Sequence, residues 1–163
     1  MENDGVRPSP CPLCVRFSDP ESPLVILRSP LSVLSHMPGI DLPGYLLLAP
    51  ARHVEDAGGL DREEQGEMAL LQSRAVREIL TLPEVRKVYV LSFGEAVPHL
   101  HYHLFPRTEA MGRDPELLAH GAPDGPKIFE RYRERLAVPG LPYRVHALVL
   151  RLRTVFGEKP LLP

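Results

Sequence analysis

Pro98-His99-Leu100-His101-Tyr102-His103-Leu104-Phe105-Pro106-Arg107 gathers three of the seven histidines of this 163-residue chain into five positions. Side chains alternate faces along an extended strand, so His99, His101 and His103 share one face and Leu100, Tyr102 and Leu104 the other. The apolar face suits burial. Three imidazoles along one strand are difficult to explain as packing, and they point to chemistry. Imidazole titrates near neutral pH, can attack phosphorus as a neutral nucleophile, and binds metals through either ring nitrogen.

Working outward, the nearest strand lies just upstream at Lys87–Phe93, and Gly94-Glu95-Ala96-Val97-Pro98 joins the two. Further upstream, Pro23–Leu27, Leu31–Leu34 and Gly44–Ala49 read as three short antiparallel strands, with Arg28-Ser29-Pro30 as a turn. Between the two groups, Leu60–Leu80 repeats Met68, Leu71, Ala75 and Ile79 at helical spacing, with Asp61 and Glu64 placed as a capping box and Pro83 as a stop. Five strands and one long helix make an α+β fold. Beyond Arg107, Gly and Pro are scattered from Gly112 to Pro126, a helix is expected over Ile128–Leu136, and Val145–Phe156 is ambiguous between helix and strand. The expected organisation is a flexible lead-in at 1–10, a domain at 11–107, and a C-terminal extension at 108–163 packed on the same domain.

Both cysteines fall in Cys11-Pro12-Leu13-Cys14. A C-x-x-C turn can present two thiolates to one tetrahedral zinc, leaving two ligands to find, usually histidines. A redox pair is the alternative, although no βαβ pattern surrounds the motif. His53 is the best third ligand, because it follows the strand ending at Leu48-Ala49-Pro50. His36, His120 and His146 read as surface or core histidines, with His36 the nearest to the site.

Composition narrows the class. The chain is 44% hydrophobic and 25% charged, with a net charge of −2 from 19 basic and 21 acidic residues, as expected for one soluble domain. That balance offers no basic field for nucleic acid. The opening Met-Glu-Asn-Asp-Gly lacks a signal peptide's charged and apolar regions, and no apolar run approaches the ~20 residues of a membrane span. A cytoplasmic location is expected.

The alternation His99-Leu-His101-Tyr-His103-Leu-Phe resembles the signature of the histidine-triad (HIT) hydrolases and nucleotidyltransferases. Pro43–Val54 is similar to that family's strand ending in a Pro-x-x-His turn, and Cys11-Pro-Leu-Cys14 is similar to its zinc-bearing branch. The resemblance spans Cys11 to Arg107. It implies a HIT-like fold with a five-stranded antiparallel sheet, usually assembled as a homodimer. It also implies structural zinc on Cys11, Cys14, His53 and His99, with His101 as the nucleophile that forms a nucleotidyl-histidine. His103 would assist by hydrogen bonding, and the substrate would be a small nucleotide. Many relatives carry Gln and then Ser or Thr as phosphate contacts just before the triad, where this chain has Glu95 and Ala96, whose backbone amides can still donate. Arg107 is the expected phosphate contact and Arg52 a weaker one. Asp41 is the acid nearest to where relatives grip the ribose, but it lies too close to Pro43-Gly44 to match that position well. The expected activity is cleavage or transfer of a nucleoside monophosphate, the alternative being a catalytically weak nucleotide-binding or sensing protein.

Overall fold

The computed structural model describes residues 10–158; all of the expected lead-in except Pro10 lies outside them. A five-stranded antiparallel sheet carries the fold, in the order β1-β2-β3-β5-β4. Its strands are β1 Val25–Arg28, β2 Ser32–His36, β3 Leu46–Pro50, β4 Val85–Leu91 and β5 Tyr102–Thr108. The sheet's two faces are covered by different helices, and the gap between two of those helices creates the site.

One face carries the main core. Ile26, Leu34, Leu46, Leu48 and Leu104 meet α2 (Arg62–Ile79) through Met68, Leu71, Ala75 and Ile79, the residues expected from the periodicity. The Asp61–Glu64 capping box closes the start of α2 as expected. Beside α2 lies the last helix, Tyr143–Glu158, which resolves the ambiguous segment as helical and buries Val145, Leu148, Val149, Leu152 and Phe156 in the same core. Its Arg153 donates to the carbonyls of Ser22 (2.9 Å) and Val25 (2.8 Å), tying this helix to edge strand β1.

The opposite face is shared by two smaller clusters. At the β1–β3 end, α1 (Pro12–Ser18) packs Leu13 and Phe17 on Val25, Val33, Leu47 and Ala49. At the β5 end, α3 (Glu109–Arg113) and α4 (Gly125–Arg135) pack Met111, Ile128 and Phe129 around Tyr45 and Phe105. A two-stranded ribbon, Leu118–Ala119 with Ala122–Pro123, links α3 to α4. The last helix is therefore α5 in chain order.

The histidine segment departs from the expected strand 99–105. The ladder begins only at Tyr102, leaving His99 and His101 ahead of it. The reason is local: Pro98 has no N–H to donate, His99 N–H turns back onto the Val97 carbonyl (2.8 Å), and Leu100 N–H donates to Val54 (2.6 Å) instead of a strand neighbour. The alternation survives this change, because Leu100, Tyr102 and Leu104 still enter the main core.

Candidate functional site

All three triad histidines are buried, at 0% exposure for His99, 9% for His101 and 5% for His103. His99 is turned toward α1, where its ring meets Phe17 edge-on. Its Nδ1 lies 3.5 Å from Cys11 Sγ and 3.4 Å from Cys14 Sγ, while His53 Nδ1 lies 3.5 Å from Cys14 Sγ. All four side-chain atoms fall within 4.8 Å of one another. A tetrahedral zinc with bonds of about 2.3 Å to sulfur and 2.0–2.1 Å to nitrogen requires S···N edges of about 3.6 Å, so the spacing fits an S2N2 site. The remaining ring nitrogens are also suitably placed: His99 Nε2 donates to the Pro50 carbonyl (3.1 Å), and His53 Nε2 lies 3.9 Å from Glu55. The bond to Pro50 leaves the His99 Nδ1 lone pair for a metal. Burial, and then the adjacent Cys11 sulfur, raise the Cys14 thiol above its ordinary value.

His101 is held by the chain itself. Its Nδ1 lies 2.7 Å from the His99 carbonyl, an acceptor only, so Nδ1 is the donor in this contact and Nε2 is left out of it. His103 stands beside it, with ring centroids 4.8 Å apart. The Tyr45 hydroxyl lies 2.9 Å from His103 Nδ1. Burial above all, and then the charges of His101 and Arg133, lower the His103 pKa to about 4, so its ring is neutral at pH 7.

His101 and His103 line a cleft of about 400 Å³ between α1 and α4. Helix α1 contributes Pro12, Leu13 and Arg16, and α4 contributes Arg133; Met37, Pro38 and Leu47 continue the wall. The loop Phe93–Val97 completes the rim, with Gly94 at φ +73, a conformation that favours glycine. Glu95 and Ala96 thus reach the cleft.

Arg107 does not. On β5 it follows His103 and Phe105 on the same face, and Phe105 packs with Tyr45, Tyr89 and Phe129 between it and the histidines. Its guanidinium instead crowds Gly112 of α3. Arg52 is likewise engaged elsewhere, donating to both oxygens of Glu64 at 2.6 and 2.8 Å. Asp41 pairs with Arg144 at 2.8 Å. His36 is fully buried, with its ring nitrogens 2.7 and 2.9 Å from the carbonyls of Met37 and Leu42, so it braces the loop that supplies Met37 and Pro38 to the cleft. The sequence did not single out Arg16, Arg133, Tyr45 or Phe93. All four depend on contacts between distant segments, and only the strand pairing of Leu47 with His103 brings Tyr45 near the triad.

No curated protein matches the chain in sequence. Among solved structures, a Zn-bound histidine triad family protein from Mycobacterium smegmatis is similar over 90% of this chain and 97% of its own, with TM-score 0.54 and 20% identity. A HIT family protein from Bacillus anthracis aligns with 78% of this chain and 92% of its own at TM-score 0.57 and 16% identity. One from Bacillus subtilis aligns with 78% and 98% at TM-score 0.56 and 17% identity. At such identities the likeness is one of fold. The HIT domain pattern itself matches residues 19–110, more than half of the sequence, and on that match the chain belongs to the HIT domain family.

Proposed function

We propose that the chain is a nucleotide hydrolase or nucleotidyltransferase acting at the α-phosphate of a nucleoside phosphate ester, anhydride or phosphoramidate. The observation that carries this reading is the 2.7 Å hydrogen bond from His101 Nδ1 to the His99 carbonyl, which engages Nδ1 and leaves Nε2 as the ring nitrogen available to the cleft. Its lone pair attacks the α-phosphorus. The bond from phosphorus to the leaving atom breaks, and the atom departs with the electron pair. Water or a second phosphate then attacks the nucleotidyl-histidine, the P–N bond breaks back onto Nε2, and the proton of an attacking water passes to that restored lone pair and on to solvent. The ring gains positive character while bonded to phosphorus, and the His99 carbonyl stabilises it through the Nδ1 proton.

His103 stays neutral in this scheme. With Tyr45 donating to its Nδ1, its Nε2–H is left to donate to a phosphoryl oxygen. The backbone amides of Gly94–Ala96 are suited to the same charge, as donors fixed before the reaction begins. Cys11, Cys14, His53 and His99 would hold zinc in a structural role, since four protein ligands complete the tetrahedron. The same reading includes a homodimer, and β4, with Val90 exposed, is a free edge of the sheet. Among the described residues no helix is long and apolar enough to cross a membrane.

A second reading, a nucleotide-binding protein of weak turnover, draws on Glu95 and Ala96: a carboxylate and a methyl group occupy the cleft rim. Intact-protein mass spectrometry after an acid-free quench separates the two, using dinucleoside polyphosphates and nucleoside phosphoramidates. A nucleotide-sized adduct on wild type that is absent from His101→Ala is expected. Tight nucleotide binding without adduct or product in either protein would favour the second reading.

A further inference from the structure

Two cations line the cleft, and among the described residues neither is paired with an anion. Arg16 on α1 and Arg133 on α4 both line it. Arg16 Nη1 is buried and has no hydrogen-bond partner. Arg133 lies over the Phe129 ring, 5.6 Å from its centroid, and forms no ion pair among the described residues. Among the described residues Glu95 is the acid that lines the cleft, and it is exposed and pairs with neither. A buried guanidinium nitrogen left unsatisfied is destabilising until something accepts its proton. A planar donor fork suits a phosphate best.

We propose that Arg16 and Arg133 recognise the leaving side of the substrate, so that the chain prefers a nucleotide whose leaving group is itself a phosphate over one that leaves as an amine. This rests on the reading of His101 as nucleophile. Neither arginine is paired with Glu95, so both are left to meet an anion that the substrate brings. A nucleoside diphosphate leaving group departs as an anion once the α-phosphorus to bridging-oxygen bond breaks, whereas an amine must gain a proton in the same step. Both arginines fall outside residues 19–110, so leaving-group choice is assigned to segments flanking the matched family region.

The test compares diadenosine triphosphate with adenosine 5′-phosphoramidate on wild type, Arg16→Gln and Arg133→Gln, with pyrophosphate binding measured by calorimetry on the same proteins. The ratio of kcat/KM for triphosphate over phosphoramidate should fall at least tenfold in each variant, chiefly through KM, and pyrophosphate affinity should fall likewise. Arg16→Lys should recover part of both, which a folding defect would not allow. An unchanged ratio, or pyrophosphate binding indifferent to both arginines, overturns the proposal. If wild type cleaves neither nucleotide yet binds pyrophosphate through these arginines, the hydrolase reading fails and the anion site stands.

Discussion

His99 performs three tasks with separate atoms. Its Nδ1 faces the cysteines, its Nε2 donates to Pro50, and its carbonyl holds the His101 proton. Its bond to Pro50 is the task that motif spacing could not show, since such backbone hydrogen bonds leave no mark in composition. At this scale the histidine alternation and the C-x-x-C spacing are local and legible, as is the place of His53 after a strand end, and the fold brings His53 and His99 together with the cysteines. Arg107, expected near the phosphate, lies away from the cleft, because nothing local shows that Phe105 would draw an aromatic cluster into the gap. The buried His103 gives a sharp prediction. Its folded pKa of about 4 lies below the ordinary 6.5, so between those pH values the unfolded chain binds a proton that the folded chain refuses. Stability therefore falls as pH drops from 6.5 toward 4, and this group has no such effect above 6.5. Relative to His103→Asn, wild type should lose about 1–2 kcal/mol between pH 7 and pH 5 by urea unfolding. Parallel curves for the two proteins would mean that His103 is not held neutral.

Among the elements, α1 depends most on its anchors. Seven residues are too few for a helix to persist alone, and its Cys11 N-cap position makes no side-chain capping bond. It was not foreseen, because a C-x-x-C turn and a helix of about two turns look alike in sequence. Leu13, Phe17 and the cysteine cluster hold it against the sheet. Removing metal with a chelator, or replacing Cys14 by Ser, should loosen this wall of the cleft. Melting temperature should drop, by about 2–4 °C for each kcal/mol lost in a chain of this size, and nucleotide affinity should weaken with it. Chelation that leaves both unchanged would remove metal from the account of α1. By contrast α2 was legible almost entirely, because its cap, its periodicity and its Pro83 stop are all local.

At the scale of the whole molecule, the long-range arrangement was the part hidden from sequence. Strand order, the helical state of 143–158 and the meeting of α1 with α4 across the cleft all follow from which apolar faces find each other. Helix α5 shares the core of α2, so Leu152→Ala should cost about 2–5 kcal/mol in chemical denaturation, as a buried leucine does in any well-packed interior. A loss below about 0.5 kcal/mol, the range of ordinary surface changes, would show α5 to be peripheral. The cleft has a further consequence. Its floor comes from β5 and the segment before it, while two of its walls come from short helices outside the matched region. Varying only the cleft-facing positions of those helices, Arg16 and Arg133, would retune what is accepted while Cys14 and Phe129 go on bracing the histidines, so these positions are where natural variation, or a directed library, can explore new specificities at least risk to the chemistry.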